Sequence, residues 1–127
     1  MKSKIILITM MVLLSNLAEA AWTKVTANEE ATIYTDLSTV QKSGDTLKIW
    51  ELMDLNKNKA GEGFLSSKSL DEIDCKMNRS RVVSYAMYSE NMAGGKVVRS
   101  SDALHAWLPI NDGGVAAFLS MSACKKN

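Results

Sequence analysis

The chain has 127 residues and a formal net charge of +1. That length supplies one domain with a single core, and a charge this close to zero excludes a general electrostatic field for nucleic acid or an anionic membrane. Two cysteines, one histidine and one proline leave little material for a metal centre or a thiol-exchange enzyme.

Lys2 and Lys4 precede an uncharged run from Ile5 to Leu14, Ser15 and Asn16 end it, and Ala18-Glu19-Ala20 follows. This is the three-part pattern of a secretory signal, which predicts a signal peptide over residues 1–20 cleaved after Ala20, and one domain over residues 21–127. The run is about half of the roughly 20 apolar residues that a spanning helix needs, and no later segment is long enough. The expectation is an exported protein, periplasmic, secreted or at the cell surface, with no membrane span after cleavage. Neither cysteine stands at the cleavage site, so no lipid anchor is expected. Lys2, Lys4 and Glu19 leave with the signal, so thirteen basic and thirteen acidic residues remain.

Strand signals dominate the first three quarters of the mature chain. Trp22 to Thr26 is a short strand, and Ala31 to Asp36 a second, rich in β-branched and aromatic residues. Lys42-Ser43-Gly44-Asp45 has turn chemistry. Thr46 to Asp54 carries Lys48, Trp50, Leu52 and Asp54 on one face and Leu47, Ile49, Glu51 and Met53 on the other. Both faces are apolar in the middle, as in a central strand covered on two sides. Asn56 to Phe64 is polar and glycine-bearing and reads as a mobile loop. Ser67 to Cys75 and Ser80 to Tyr88 form a hairpin around Lys76-Met77-Asn78, and Lys96 to Ser100 follows the turn at Ala93-Gly94-Gly95.

Beyond Pro109 the period changes. Val115, Phe118, Leu119 and Ser122 trace one face of a helix, with Asn111 or Asp112 as its N-cap and its end near Cys124. Two cysteines in an exported chain are most simply read as a disulfide, Cys75 to Cys124; free thiols and a metal pair are the alternatives, and the second lacks ligands. The bond closes a loop of about fifty residues, worth roughly 4 kcal/mol in the chain-entropy picture, and staples the helix to a strand. The fold class is α+β, an antiparallel sheet with a C-terminal helix on one face.

No catalytic constellation emerges. His105 sits beside Leu104, Ala106 and Trp107 and reads as a structural residue, at a sheet edge or partly buried, rather than a catalytic base. Asp54-Leu55-Asn56-Lys57-Asn58 opens like a calcium loop, but Lys59 takes the place of the turn glycine and Leu65 that of the bidentate Glu. Among Asp71, Glu72 and Asp74, the last two share a strand face about 6–7 Å apart. That spacing permits glycoside chemistry, yet a solvated strand face is the simpler reading. Asn78-Arg79-Ser80 matches a glycosylation sequon and reads as the polar tip of the hairpin; Met53, Met77, Met87, Met92 and Met121 are scattered and suit core filling. No catalytic residue, metal or cofactor is assigned.

Taken in order, Trp22-x-x-Val25, Tyr34-x-Asp36, Trp50-x-Leu52-x-Asp54, Asp74-Cys75 with Arg81, Tyr88-Ser89, Met92, Gly95-x-Val97-Val98, Trp107-x-Pro109 and a Cys closing a terminal helix resemble the surface-adhesin protein E family. The resemblance spans Trp22 to Cys124 and implies a bent antiparallel sheet of about six strands with a disulfide-held terminal helix. It also implies a non-enzymatic protein-binding role, the family's namesake being an adhesin for host matrix proteins such as vitronectin and laminin. The chain departs from the family in three places. It lacks the lipid-bearing Cys, Leu55 replaces an aromatic residue, and Asn111-Asp112-Gly113 replaces Pro-Gly-Ser at the helix start.

Trp22, Trp50, Trp107, Tyr34 and Tyr88 read as core or sheet-face residues, and Arg81 is expected to pair with Asp74 or Asp36 across strands or to stay solvated. A binding module of this kind calls for a basic or aromatic exposed patch, and its partners would be extracellular-matrix or other envelope proteins. The alternative is a periplasmic accessory or structural protein, an envelope-stress factor or an inhibitor, which the missing lipid site favours.

Overall fold

Each β-branched or aromatic run of the sequence becomes a strand, and short turns make neighbours in sequence into neighbours in space. The computed structural model describes residues 21–56 and 63–124; the expected signal peptide, most of the Asn56 to Phe64 loop and the last three residues lie outside the described residues. The strands are β1 (Thr23–Ala27), β2 (Ala31–Ser43), β3 (Thr46–Leu55), β4 (Ser66–Asp74), β5 (Arg79–Tyr88), β6 (Val97–Ser101) and β7 (Leu108–Pro109), followed by one helix, α1 (Val115–Ala123). They form one antiparallel sheet in the order β1-β2-β3-β4-β5-β6, which does not close. β7 pairs with β5 at Arg79 and Ser80, so β6 and β7 share one edge of β5, one at each end.

Two elements differ from expectation. β2 runs on past Asp36 to Ser43, because the ladder with β3 breaks between Asp36 and Gln41 and then resumes. Asp36 supports that irregularity by accepting the N–H of Ser38 at 3.0 Å. β7 is new, two residues too short to leave a periodic signal.

The helix starts on Gly114, which makes no side-chain cap bond, rather than on Asn111 or Asp112. Gly113 stands at φ +81, a left-handed turn that glycine enters without a Cβ clash. The turn brings the N–H of Gly114 onto the carbonyl of Asn111 at 3.3 Å. In the first turn the Ala117 N–H is taken by the Gly114 carbonyl at 3.1 Å.

The core lies between helix and sheet. Leu47, Ile49 and Ile73 meet Leu119 and Ala123, with Val25, Val40, Ile110 and Val115 packed around them. Ile49 and Ile73 are fully buried, each side chain contributing about 1.5–3 kcal/mol of burial. A nine-residue helix is too short to persist alone in water. This packing and the Cys75–Cys124 bond hold it. Leu52 is equally buried on the opposite face, so β3 is covered on both sides, as its sequence implies.

Candidate functional site

Strand register sorts the polar residues onto two faces. Opposite the helix, Lys24, Tyr34, Leu52 and Lys68 form one cross-strand row, Lys48, Glu72 and Arg81 a second, and Thr46, Asp74 and Arg79 a third. All three tryptophans of the chain join this face. The Lys68 ammonium lies 4.4 Å from the Trp50 ring centre and 5.9 Å from that of Trp22. Trp107 reaches the same face from the residue before β7, with the guanidinium carbons of Arg79 and Arg81 at 4.5 and 4.1 Å from its ring centre. Each such contact is worth about 0.5–1 kcal/mol when exposed and more when desolvated. The indoles are half-buried.

The arginines are held from two directions. Arg81 donates from Nε to Glu72 Oε1 at 2.7 Å, and Arg79 from Nε to Asp74 Oδ2 at 3.0 Å. The expected pairing of Arg81 with Asp74 or Asp36 does not form, because register sets Glu72 directly across from Arg81 and Asp74 across from Arg79. Asp74 also accepts the N–H groups of Lys76 and Met77 through Oδ1, closing the hairpin turn. The Met77 N–H first, then the Arg79 guanidinium, hold its carboxyl below the ordinary carboxylate range, outweighing the opposing effect of its desolvation.

The helix side carries different chemistry. Glu51 and Asp71, on neighbouring strands, hydrogen-bond to one another beside a cavity of about 230 Å³ walled by Ile73, Val82, Val115 and Leu119. Burial, then the hydrogen bond to Asp71 and the charge of Asp71, pushes the Glu51 carboxyl up to about 9. Burial also raises Asp71, while its hydrogen bonds to Glu51 and Ser69 pull the other way. Two carboxyls this close in an apolar layer hold a proton between them at neutral pH. His105 lines the same cavity, exposed at the sheet edge, with its ring edge-to-face on Tyr85 at 6.3 Å.

The acidic trio of the sequence is therefore split: Asp71 faces the helix with Glu51, while Glu72 and Asp74 face the other way with the arginines. Asp54, the first position of the apparent calcium loop, instead accepts the Asn91 side-chain amide at 3.0 Å and the Met92 N–H at 2.8 Å. Among the described residues, no three His, Cys, Asp or Glu side chains converge as a metal site. No described helix is long and apolar enough to cross a membrane. The Glu51–Asp71 pair is a site that sequence reasoning missed, although a carboxylate between Ile49 and Met53 on one strand face was its visible signal. The Arg79–Trp107–Arg81 stack was invisible before β7 was known.

Comparison with known proteins agrees with this architecture. The family model described as surface-adhesin protein E matches residues 22–125. Crystal form II of Haemophilus influenzae protein E superposes with a TM-score of 0.63 at 12% identity, covering 84% of this chain and 88% of that one. The selenomethionine form of protein E gives 0.63 at 10% identity over 84% and 87%, and a further structure of it gives 0.62 at 11% over 84% and 85%. At such identities the likeness is one of fold. No curated protein matches at the level of sequence.

Proposed function

Because the chain belongs to the surface-adhesin protein E family, we propose that it is a non-enzymatic binding module of the bacterial envelope that engages extracellular-matrix proteins. Family membership supports an exported or surface protein of adhesin type. The observation that carries the reading is the open sheet face, where three half-buried tryptophans alternate with Lys68, Arg79 and Arg81. Aromatic and arginine side chains are the residues enriched at the energetic centres of protein interfaces. Held against one another before a partner arrives, they lose little further rotamer freedom on binding.

The test joins location to affinity. Intact cells are treated with a membrane-impermeant label beside a periplasmic marker, and the purified mature protein is passed over immobilised vitronectin and laminin. Labelling while the marker stays protected, together with saturable binding that Trp107→Ala weakens, is expected. Protection on intact cells with release by osmotic shock overturns the adhesin reading in favour of a periplasmic accessory role.

A further inference from the structure

We propose that the tryptophan-bearing face is a site for an anionic, sulfate- or carboxylate-bearing polysaccharide; this rests on the binding-module reading and names the chemistry of its partner.

The face is electropositive although the mature chain is expected to be neutral. Lys24, Lys48, Lys68, Arg79 and Arg81 point to it, as do Asp36, Asp54, Glu72 and Asp74. The carboxylates are turned inward and used. Asp36, 2% exposed, accepts the N–H groups of Ala21 and Ser38. Asp54 holds Asn91 and Met92, Asp74 holds its turn and Arg79, and Glu72 holds Arg81. Lys24, Lys48 and Lys68 form no ion pair with any described residue. The side chain of Arg79 is 39% exposed against 7% for Asp74, and that of Arg81 23% against 12% for Glu72. An approaching ligand therefore meets ammonium and guanidinium groups first, with their countercharges beneath them.

The geometry favours a glycan over an acidic peptide. β3 and β4 are each paired on both sides, so the middle of this face offers a peptide no sheet edge to extend. Recognition falls to side chains. The cations occupy β1, β3, β4 and β5, a diagonal band from Lys24 to Arg79 that strand spacing and rise make roughly 25–30 Å long, suited to an extended polymer with regularly repeated anions. Between the cations lie the half-buried indoles, amphipathic side chains with an apolar body for the apolar face of a sugar ring and a polar N–H for its rim. The guanidinium carbons of Arg79 and Arg81 lie 4.5 and 4.1 Å from the Trp107 ring centre; each arginine gives its Nε–H to a carboxylate of the sheet, and its remaining N–H groups suit sulfate or carboxylate oxygens.

The experiment measures binding of the mature protein to size-defined heparin oligosaccharides, their desulfated counterparts and polyglutamate of matched charge, each at two salt concentrations. Sulfated chains are expected to bind most tightly, with affinity rising with length until the band is filled and falling with salt. Lys68→Gln and Arg79→Gln/Arg81→Gln are expected to weaken binding by about tenfold or more. Lys42→Gln, on the hairpin strand of the helix side, is expected to leave it within about twofold. Lys68→Gln breaks no ion pair, so it keeps the test decisive should the arginine variant fold poorly. Equal affinity for polyglutamate overturns the proposal and makes acidic protein the partner. Matrix-protein binding without oligosaccharide binding overturns it while the binding-module reading stands. Oligosaccharide binding without capture of deglycosylated matrix protein upholds it and removes the protein-binding reading.

Discussion

Glu51 and Asp71 hydrogen-bond carboxyl to carboxyl in the layer between sheet and helix, and burial holds their protons above the ordinary carboxylate range. A carboxyl whose folded-state pKa is raised contributes stability that is fully present below its unfolded value and is lost as pH rises through its folded value. For Glu51 that window runs from the unperturbed 4.5 up to about 9. The protein is therefore expected to weaken steadily from mildly acidic to alkaline pH, by at most about 1.4 kcal/mol per pH unit for each proton involved. Glu51→Gln keeps a donor for Asp71 without a charge to bury, so urea unfolding of the variant between pH 5 and pH 9 should give a flatter profile and higher stability at pH 8. A variant whose slope matches the parent would dismiss the pair as the source.

The Cys75–Cys124 bond joins residues 49 apart and ties the end of α1 to the end of β4. Closing such a loop removes roughly 4 kcal/mol of chain entropy from the unfolded state, much of the stability of a typical small domain. Cys124→Ser is expected to lower the thermal midpoint sharply and to loosen the helix first, since Leu119 and Ala123 are its main buried contacts. Parent protein unfolded with and without reductant should reproduce the same difference. Identical midpoints would dismiss the bond as a stabilising element.

β3 was legible because apolar residues on both faces state two-sided burial, and Ile49 and Leu52 are both fully buried. The cysteine pair and the helix were legible because each is a local pattern or a count. What escaped depends on register. Arg81 pairs with Glu72 rather than Asp74 because of where β4 meets β5, and a shift of two residues would reverse it. The cap on α1 escaped because Gly113, at positive φ, makes the turn and Gly114 rather than Asn111 or Asp112 starts the helix. The tryptophan face combines both cases: its residues were named individually, and their convergence with three cations exists only in the assembled sheet.

Gly95 and Gly113 both take left-handed backbone, φ +74 and +81, yet they differ in surroundings. A Cβ at Gly113 meets nothing within 4 Å, whereas one at Gly95 runs into Ser89 Oγ and Glu90 Cγ. Gly113→Ala is expected to cost the backbone strain alone, about 1–2 kcal/mol. Gly95→Ala adds displacement of Ser89, whose Oγ accepts the Lys96 N–H at 2.8 Å and so fixes the entry to β6. Chemical denaturation of the two variants should rank Gly95→Ala as clearly the more damaging. The reverse order would show that the β5–β6 turn yields freely.

Asp54 organises the segment from Ser89 to Gly95 from a distance. One of its carboxylate oxygens accepts from both Asn91 and Met92, and the Asn91 amide also donates to the carbonyl of Leu55 at 2.9 Å. Met92 and Ala93 both stand at positive φ, a conformation that side-chain-bearing residues keep only where surrounding contacts impose it. Asp54→Ala removes two acceptor contacts at once, a local loss of about 1–3 kcal/mol. The predicted outcome is faster hydrogen exchange at the amides of residues 91–94, with β3 and β4 protected as before, because the core lies on the other side of the sheet and owes nothing to Asp54. Slowed or unchanged exchange in that segment would mean that the Ser66 hydroxyl, which donates to Glu90 O at 2.6 Å and accepts the Ala93 N–H at 2.9 Å, anchors it alone.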